Sequence, residues 1–97
     1  MRYEIVFTRG AAESLQRMDA HTRAAVRDAL EVHLRYEPMK LSRSRIKRLR
    51  GLAQPQYRLR VDEIRVFYDV SEARVEILAI LSKSEVDQWL QERGRPL

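Results

Sequence analysis

Three arginines stand close together in the segment Tyr57-Arg58-Leu59-Arg60-Val61-Asp62-Glu63-Ile64-Arg65-Val66-Phe67-Tyr68. The residues around them alternate as a strand alternates, and Asp62-Glu63 is a natural two-residue turn. A hairpin closed there sets Val61 opposite Ile64, Leu59 opposite Val66 and Tyr57 opposite Tyr68. That side is apolar or aromatic. The other side sets Arg60 opposite Arg65 and Arg58 opposite Phe67. Like charges facing each other across a ladder cost a few tenths to about 1 kcal/mol, and a bound polyanion would offset that cost. Arginine suits the task, because its planar fork holds two phosphate oxygens and stays charged at any physiological pH. Phe67 among the arginines would give a base something to stack on, as single-stranded RNA often requires.

A second basic stretch precedes the hairpin: Lys40, Arg43, Arg45, Lys47, Arg48 and Arg50. No period organises it, and it reads as a loop ending in a short strand or turn at Gly51. Lys47, Arg48 and Arg50 are candidates for phosphate anchoring, which adds affinity without sequence choice. The other reading of the run is a solvated loop.

Elements that would position these residues follow from the pattern. Arg2 to Thr8 alternates as a strand. Ala11, Leu15 and Met18 recur at helical spacing after Thr8, a helix cap. A second helix is expected from a Thr22 cap, with Val26, Leu30 and Leu34 on one face, closed by Pro38. Strands are expected over 56–61, 64–70 and 74–81, joined by short links as an antiparallel meander. A last helix should start near Ser84, with Asp87 three residues on, present Val86, Trp89 and Leu90 as an apolar stripe, and stop at Gly94. Packing is the expected role of Trp89. The order is βααβββα: an α+β domain whose antiparallel sheet packs on an N-terminal helical hairpin, with a C-terminal helix.

Composition narrows the function. Nineteen Lys and Arg face fourteen Asp and Glu, a formal charge of +5 on 97 residues. Nucleic acid is the default partner of so basic a small domain. There are no cysteines, which removes thiolate nucleophiles and cysteine metal sites. His21 and His33 fall at a helix junction and within a helix, without metal-site spacing. No metal and no cofactor is expected. No stretch is apolar enough for a membrane span or leader, so a single cytoplasmic domain over 1–97 is expected, with no membrane partner.

The segments Ile46-Lys47-Arg48-Leu49-Arg50-Gly51-Leu52, Tyr57-Arg58-Leu59-Arg60-Val61 and Ile64-Arg65-Val66-Phe67-Tyr68-Asp69-Val70 resemble the core signature of RelE/ParE-type toxins. The opening strand with Ala11, Ala12 and Leu15 is similar to the start of that family. The resemblance implies a microbial-RNase-like fold and a toxin of a type II toxin–antitoxin pair, with a cognate antitoxin as partner. It further implies, as for RelE-like mRNA interferases, entry into the ribosomal A site and metal-independent endoribonuclease cleavage of mRNA, inhibiting translation. Arg58 and Arg60 then match the paired basic residues of the second strand, and Arg65 the arginine of the third, with Tyr68 in the same motif. Lys83 stands near a fourth basic position and would donate a proton or add charge. Such toxins often carry a late tyrosine, and none follows Tyr68 here. Two alternatives go with the resemblance: a ParE-like inhibitor of DNA gyrase without RNase activity, and a weak homologue acting through antitoxin binding and operon repression.

Overall fold

The computed structural model describes residues 1–97. Strand β1 (Glu4–Phe7) leads into helices α1 (Arg9–Arg17) and α2 (Ala20–Leu34). Then come β2 (Ile46–Arg48), β3 (Leu52–Gln54), β4 (Tyr57–Val61), β5 (Ile64–Ser71) and β6 (Arg74–Ser82). A 3₁₀ turn over Lys83–Glu85 opens α3 (Val86–Arg93), and β7 (Arg95–Pro96) follows. Five strands form one sheet in the order β1-β6-β5-β4-β2, and β3 pairs with β7 in a small second ladder.

Local chemistry explains the helix ends. The Ala11 amide donates to Thr8 Oγ1 at 3.2 Å, capping α1. The α2 cap is Asp19, not Thr22: the Thr22 amide donates to Asp19 Oδ1 at 2.7 Å. A carboxylate three residues earlier holds that amide more strongly than a hydroxyl can hold one further on. Glu85 closes the turn before α3, because the amide and hydroxyl of Ser82 both donate to Glu85 Oε1. Ser82 rather than Ser84 therefore begins the last helical segment.

The hairpin of β4 and β5 has the register that its alternation implies. Val61 pairs with Ile64, Arg60 with Arg65, Leu59 with Val66, Arg58 with Phe67 and Tyr57 with Tyr68. Asp62 supplies the positive φ of the turn, at 52°, a conformation aspartate tolerates better than most residues. One face of the sheet presents Leu59, Val61, Val66, Tyr68, Val75, Ile77 and Ile80 to Ala11 and Leu15 of α1 and to Val26, Leu30 and Leu34 of α2. All are buried.

Three features depart from the expected plan. The sheet is not wholly antiparallel, because β1 runs parallel to β6 at its edge. The basic stretch contains β2, which pairs with β4. The chain just before Pro55 and after Gly94 forms β3 and β7. No helix is long and apolar enough to cross a membrane.

Candidate functional site

Side chains of directly paired residues project from the same side of a sheet, and those two apart on one strand share it. The ladders therefore lay out two rows on the face turned away from α1 and α2. Lys47, Arg58, Phe67 and Ala79 form one row, and Arg60, Arg65 and Leu81 form the next. Four cations thus lie on three neighbouring strands, which are spaced about 4.8 Å apart.

The arginines feel one another. Arg58 is held below the ordinary arginine value, first by burial and then by Arg65 and Arg60. Its Nε is buried without a hydrogen-bond partner. Arg65 is braced from below: its Nη1 donates to the Asp62 carbonyl at 2.7 Å and to the Ile64 carbonyl at 3.1 Å. That leaves the rest of its fork directed by the turn rather than by a carboxylate. The ion pairs of the chain lie elsewhere, between Arg35 and Glu31, Lys40 and Glu37, and Arg74 and Glu4. Asp69, further along β5, is occupied by the Gln54 side chain and by the Gln56 amide at 2.8 Å. The cluster is a concentration of positive charge with no internal counter-ion.

Lys83 follows β6 directly, and its amide donates to the Glu63 carbonyl at 2.9 Å. This bond sets it beside the Asp62–Glu63 turn, at the end of the sheet where Arg60 and Arg65 lie. No group of three His, Cys, Asp or Glu residues gathers anywhere in the chain.

Four other candidates take different places. Phe67 is on the arginine face, but it is only 1% exposed. Trp89 of α3 stacks on it, with ring centroids 5.3 Å apart and planes 20° from parallel. No base can reach it, so Phe67 is the floor of a small second core rather than a stacking platform. Tyr68 is fully buried on the opposite face, stacked on Tyr57 at 5.4 Å. Its hydroxyl donates to the Pro38 carbonyl at 2.7 Å, and burial pushes the phenol far up from its ordinary value. It is out of reach of RNA. Arg48 pairs with Tyr57 and so leaves the cluster; its guanidinium lies 5.3 Å over that ring and donates to the Gln56 carbonyl at 2.7 Å. Arg50 is exposed in the turn after β2 and belongs to no row of the sheet. Of the basic stretch, Lys47 alone joins the arginines through the ladder. The apolar stripe of the last helix was the one signal that something on the sheet had to receive Trp89.

Preorganised cations on one open face suit a phosphodiester. They bind it in the ground state and hold it more tightly as negative charge builds on its oxygens.

Comparison with known proteins identifies the family and the fold. The family model described as "ParE toxin of type II toxin-antitoxin system, parDE" matches residues 5–87. The chain is similar in structure to the toxin–antitoxin complex RelBE2 from Mycobacterium tuberculosis, with a TM-score of 0.72 and 24% identity over 84% of this chain and 99% of that one. It is similar also to the archaeal RelE–RelB complex from Pyrococcus horikoshii, with a TM-score of 0.65 and 24% identity over 89% of this chain and 100% of that one. No curated protein sequence matches. At these identities the likeness to solved structures shows the α+β fold, and the family model covers most of the chain: it belongs to the ParE toxin family of type II toxin–antitoxin systems, within the RelE/ParE superfamily.

Proposed function

We propose that this toxin is a ribosome-dependent mRNA endoribonuclease that acts in the A site and needs no metal. The observation that carries this reading is the shared face of Arg58, Arg60 and Arg65, none of which is ion-paired to a carboxylate. In the reaction, the 2′-oxygen of the RNA attacks the adjacent phosphorus and the bond to the 5′-oxygen breaks. A 2′,3′-cyclic phosphate and a free 5′-hydroxyl result, and the proton lost by the 2′-hydroxyl is made up at the leaving oxygen. Arg58 and Arg60 hold the non-bridging oxygens. Arg65, braced on the turn, meets the charge that develops in the pentacoordinate transition state. Lys83 adds charge or supplies the proton at the leaving oxygen.

No imidazole or phenol belongs to the two rows of this face. Electrostatic stabilisation therefore carries most of the rate, and the ribosome would supply substrate alignment. A cognate antitoxin is the second partner; an acidic segment laid over the arginines, or one that displaces α3, would silence them. A toxin acting on ribosomes would work in the cytoplasm.

A second reading has its own support: the matching family model is that of ParE, and a face without acid–base groups also suits a toxin that inhibits DNA gyrase by binding. Inducible expression separates the two. New 2′,3′-cyclic phosphate ends in translated messages, with prompt arrest of translation, support the ribonuclease. Intact messages with gyrase trapped on cleaved DNA overturn it in favour of the second reading.

A further inference from the structure

The arginine face does not end at β5. Leu81 of β6 pairs with Arg65, and Ala79 pairs with the covered Phe67. Both β6 residues line a cleft of about 550 Å³ that opens between α1, β6 and α3. Its rim carries Arg9 and Arg17 from α1, Arg93 from the end of α3, and Arg95 from β7. Glu13 is the one carboxylate in the lining. None of the four arginines takes part in an ion pair. The apolar lining of the cleft is Leu78, Ala79, Leu81 and Trp89.

We propose that this cleft is a second RNA subsite, which holds nucleotides flanking the phosphate bound by Arg58, Arg60 and Arg65. The inference rests on the ribonuclease reading of that face. Three observations carry it. The cleft lies along β6 between α1, on the core side, and α3, on the arginine side; its Ala79 and Leu81 belong to the arginine face, and Leu81 pairs with Arg65. Arg60 and Leu81 are two strand steps apart, roughly 10 Å, a span that neighbouring nucleotides of one strand cover. The combination of arginines with an apolar lining and an indole is what a nucleotide needs: fixed charge for the phosphate and a flat surface for the base. An acidic protein segment would also be drawn to the rim, but it brings no base for the apolar lining and indole of the cleft. A nucleotide brings both phosphate and base.

The subsite also gives α3 a role. The helix is pinned by Trp89 on Phe67 and is followed by the Arg95–Gln54 pairing of β7 with β3. It thus forms the wall that turns an open sheet into a groove. RNA would enter past Lys47, cross Arg60 and Arg65, and leave beneath Arg17 and Arg93.

Binding of 2′-O-methylated RNA, which cannot be cleaved, tests this by fluorescence anisotropy. The probes are a three-nucleotide and a nine-nucleotide strand, and the proteins are wild type, R17A/R93A, the charge-keeping R17K/R93K, and R60A/R65A. Melting curves confirm that each variant folds. R17A/R93A is expected to bind the longer strand about tenfold more weakly, with the slope of log K against log salt reduced by about 0.7 per arginine removed. The shorter strand should be little affected, and R17K/R93K should retain most of the affinity. Equal binding of the longer strand by wild type and R17A/R93A, with loss in R60A/R65A, overturns the subsite and leaves the arginine face standing. Binding that is equally insensitive in R60A/R65A overturns both. If instead a poly-glutamate decamer binds wild type and loses R17A/R93A while RNA does not, the cleft is a protein site and the inference is wrong.

Discussion

Arg58→Met should make the protein more stable while weakening its hold on RNA. Arg58 lies in the ladder between Lys47 and Phe67, one residue from Leu59 in the core and two from Arg60. Burial, and then two neighbouring arginines, depress its proton affinity, and its Nε is buried without a partner. Each repulsion is worth a few tenths to about 1 kcal/mol. An unpartnered buried donor costs about 1–3 kcal/mol when fully dry, and less here because Arg58 is only partly buried. Methionine keeps the stem that packs along the strand and removes both penalties. The gain should be about 1–2 kcal/mol. With a urea m-value of about 1 kcal/mol/M for a chain of this size, the midpoint should rise by roughly 1–2 M. Part of the gain is electrostatic, so it should shrink in about 1 M salt, where the screening length falls to about 3 Å. Arg58→Lys keeps the charge without Nε and should recover only the remaining part. A midpoint for Arg58→Met that stays put or falls at low salt would refute the idea that the three arginines strain one another.

Further outcomes follow from the same geometry. Tyr68→Phe should cost about 1 kcal/mol in urea unfolding, because it leaves the buried Pro38 carbonyl without its donor; it should not change RNA binding, since the phenol faces the opposite core. Trp89→Ala should cost about 2 kcal/mol, less than for a fully buried tryptophan, and should expose Phe67 to water, read by the thermal midpoint and by dye binding. His33 is held below its ordinary 6.5 by burial and by Arg45. Its folded form therefore resists protonation more than the unfolded chain does, and its contribution to stability is present above about pH 6.5 and falls away as the pH drops through the folded value. His33→Gln should flatten the pH dependence of the urea midpoint between pH 7 and 5.

The hairpin was legible in the sequence because two local signals agree there. The alternation of Tyr57 to Val61 and Ile64 to Tyr68 gives each strand its faces, and Asp62-Glu63 is short enough to fix their register. That is why the opposition of Arg60 and Arg65 could be read before any coordinates. What escaped reading depends on contacts between distant segments. Leu52–Gln54 pairs with Arg95–Pro96 across more than forty positions, and strands that short carry no period. The parallel seat of β1 against β6 has no local mark either. Ser82 and Ser84 each precede an acidic residue by three, and only the end of β6 selects Ser82. The burial of Phe67 belongs to the same class. Its strand position set the face correctly, but only the return of α3 over the sheet showed that the face is covered at that point.

The most direct measurement is single-turnover cleavage of mRNA on purified ribosomes by wild type, Arg65→Ala and Arg65→Lys. Loss of one preorganised charge donor at the transition state should lower the rate of the chemical step by about 10²–10³, leave ribosome affinity within a few-fold, and be only partly restored by lysine. Message that stays intact with wild-type protein bound, or cleavage by Arg65→Ala at the wild-type rate, would contradict the assignment of the arginine face to phosphodiester chemistry.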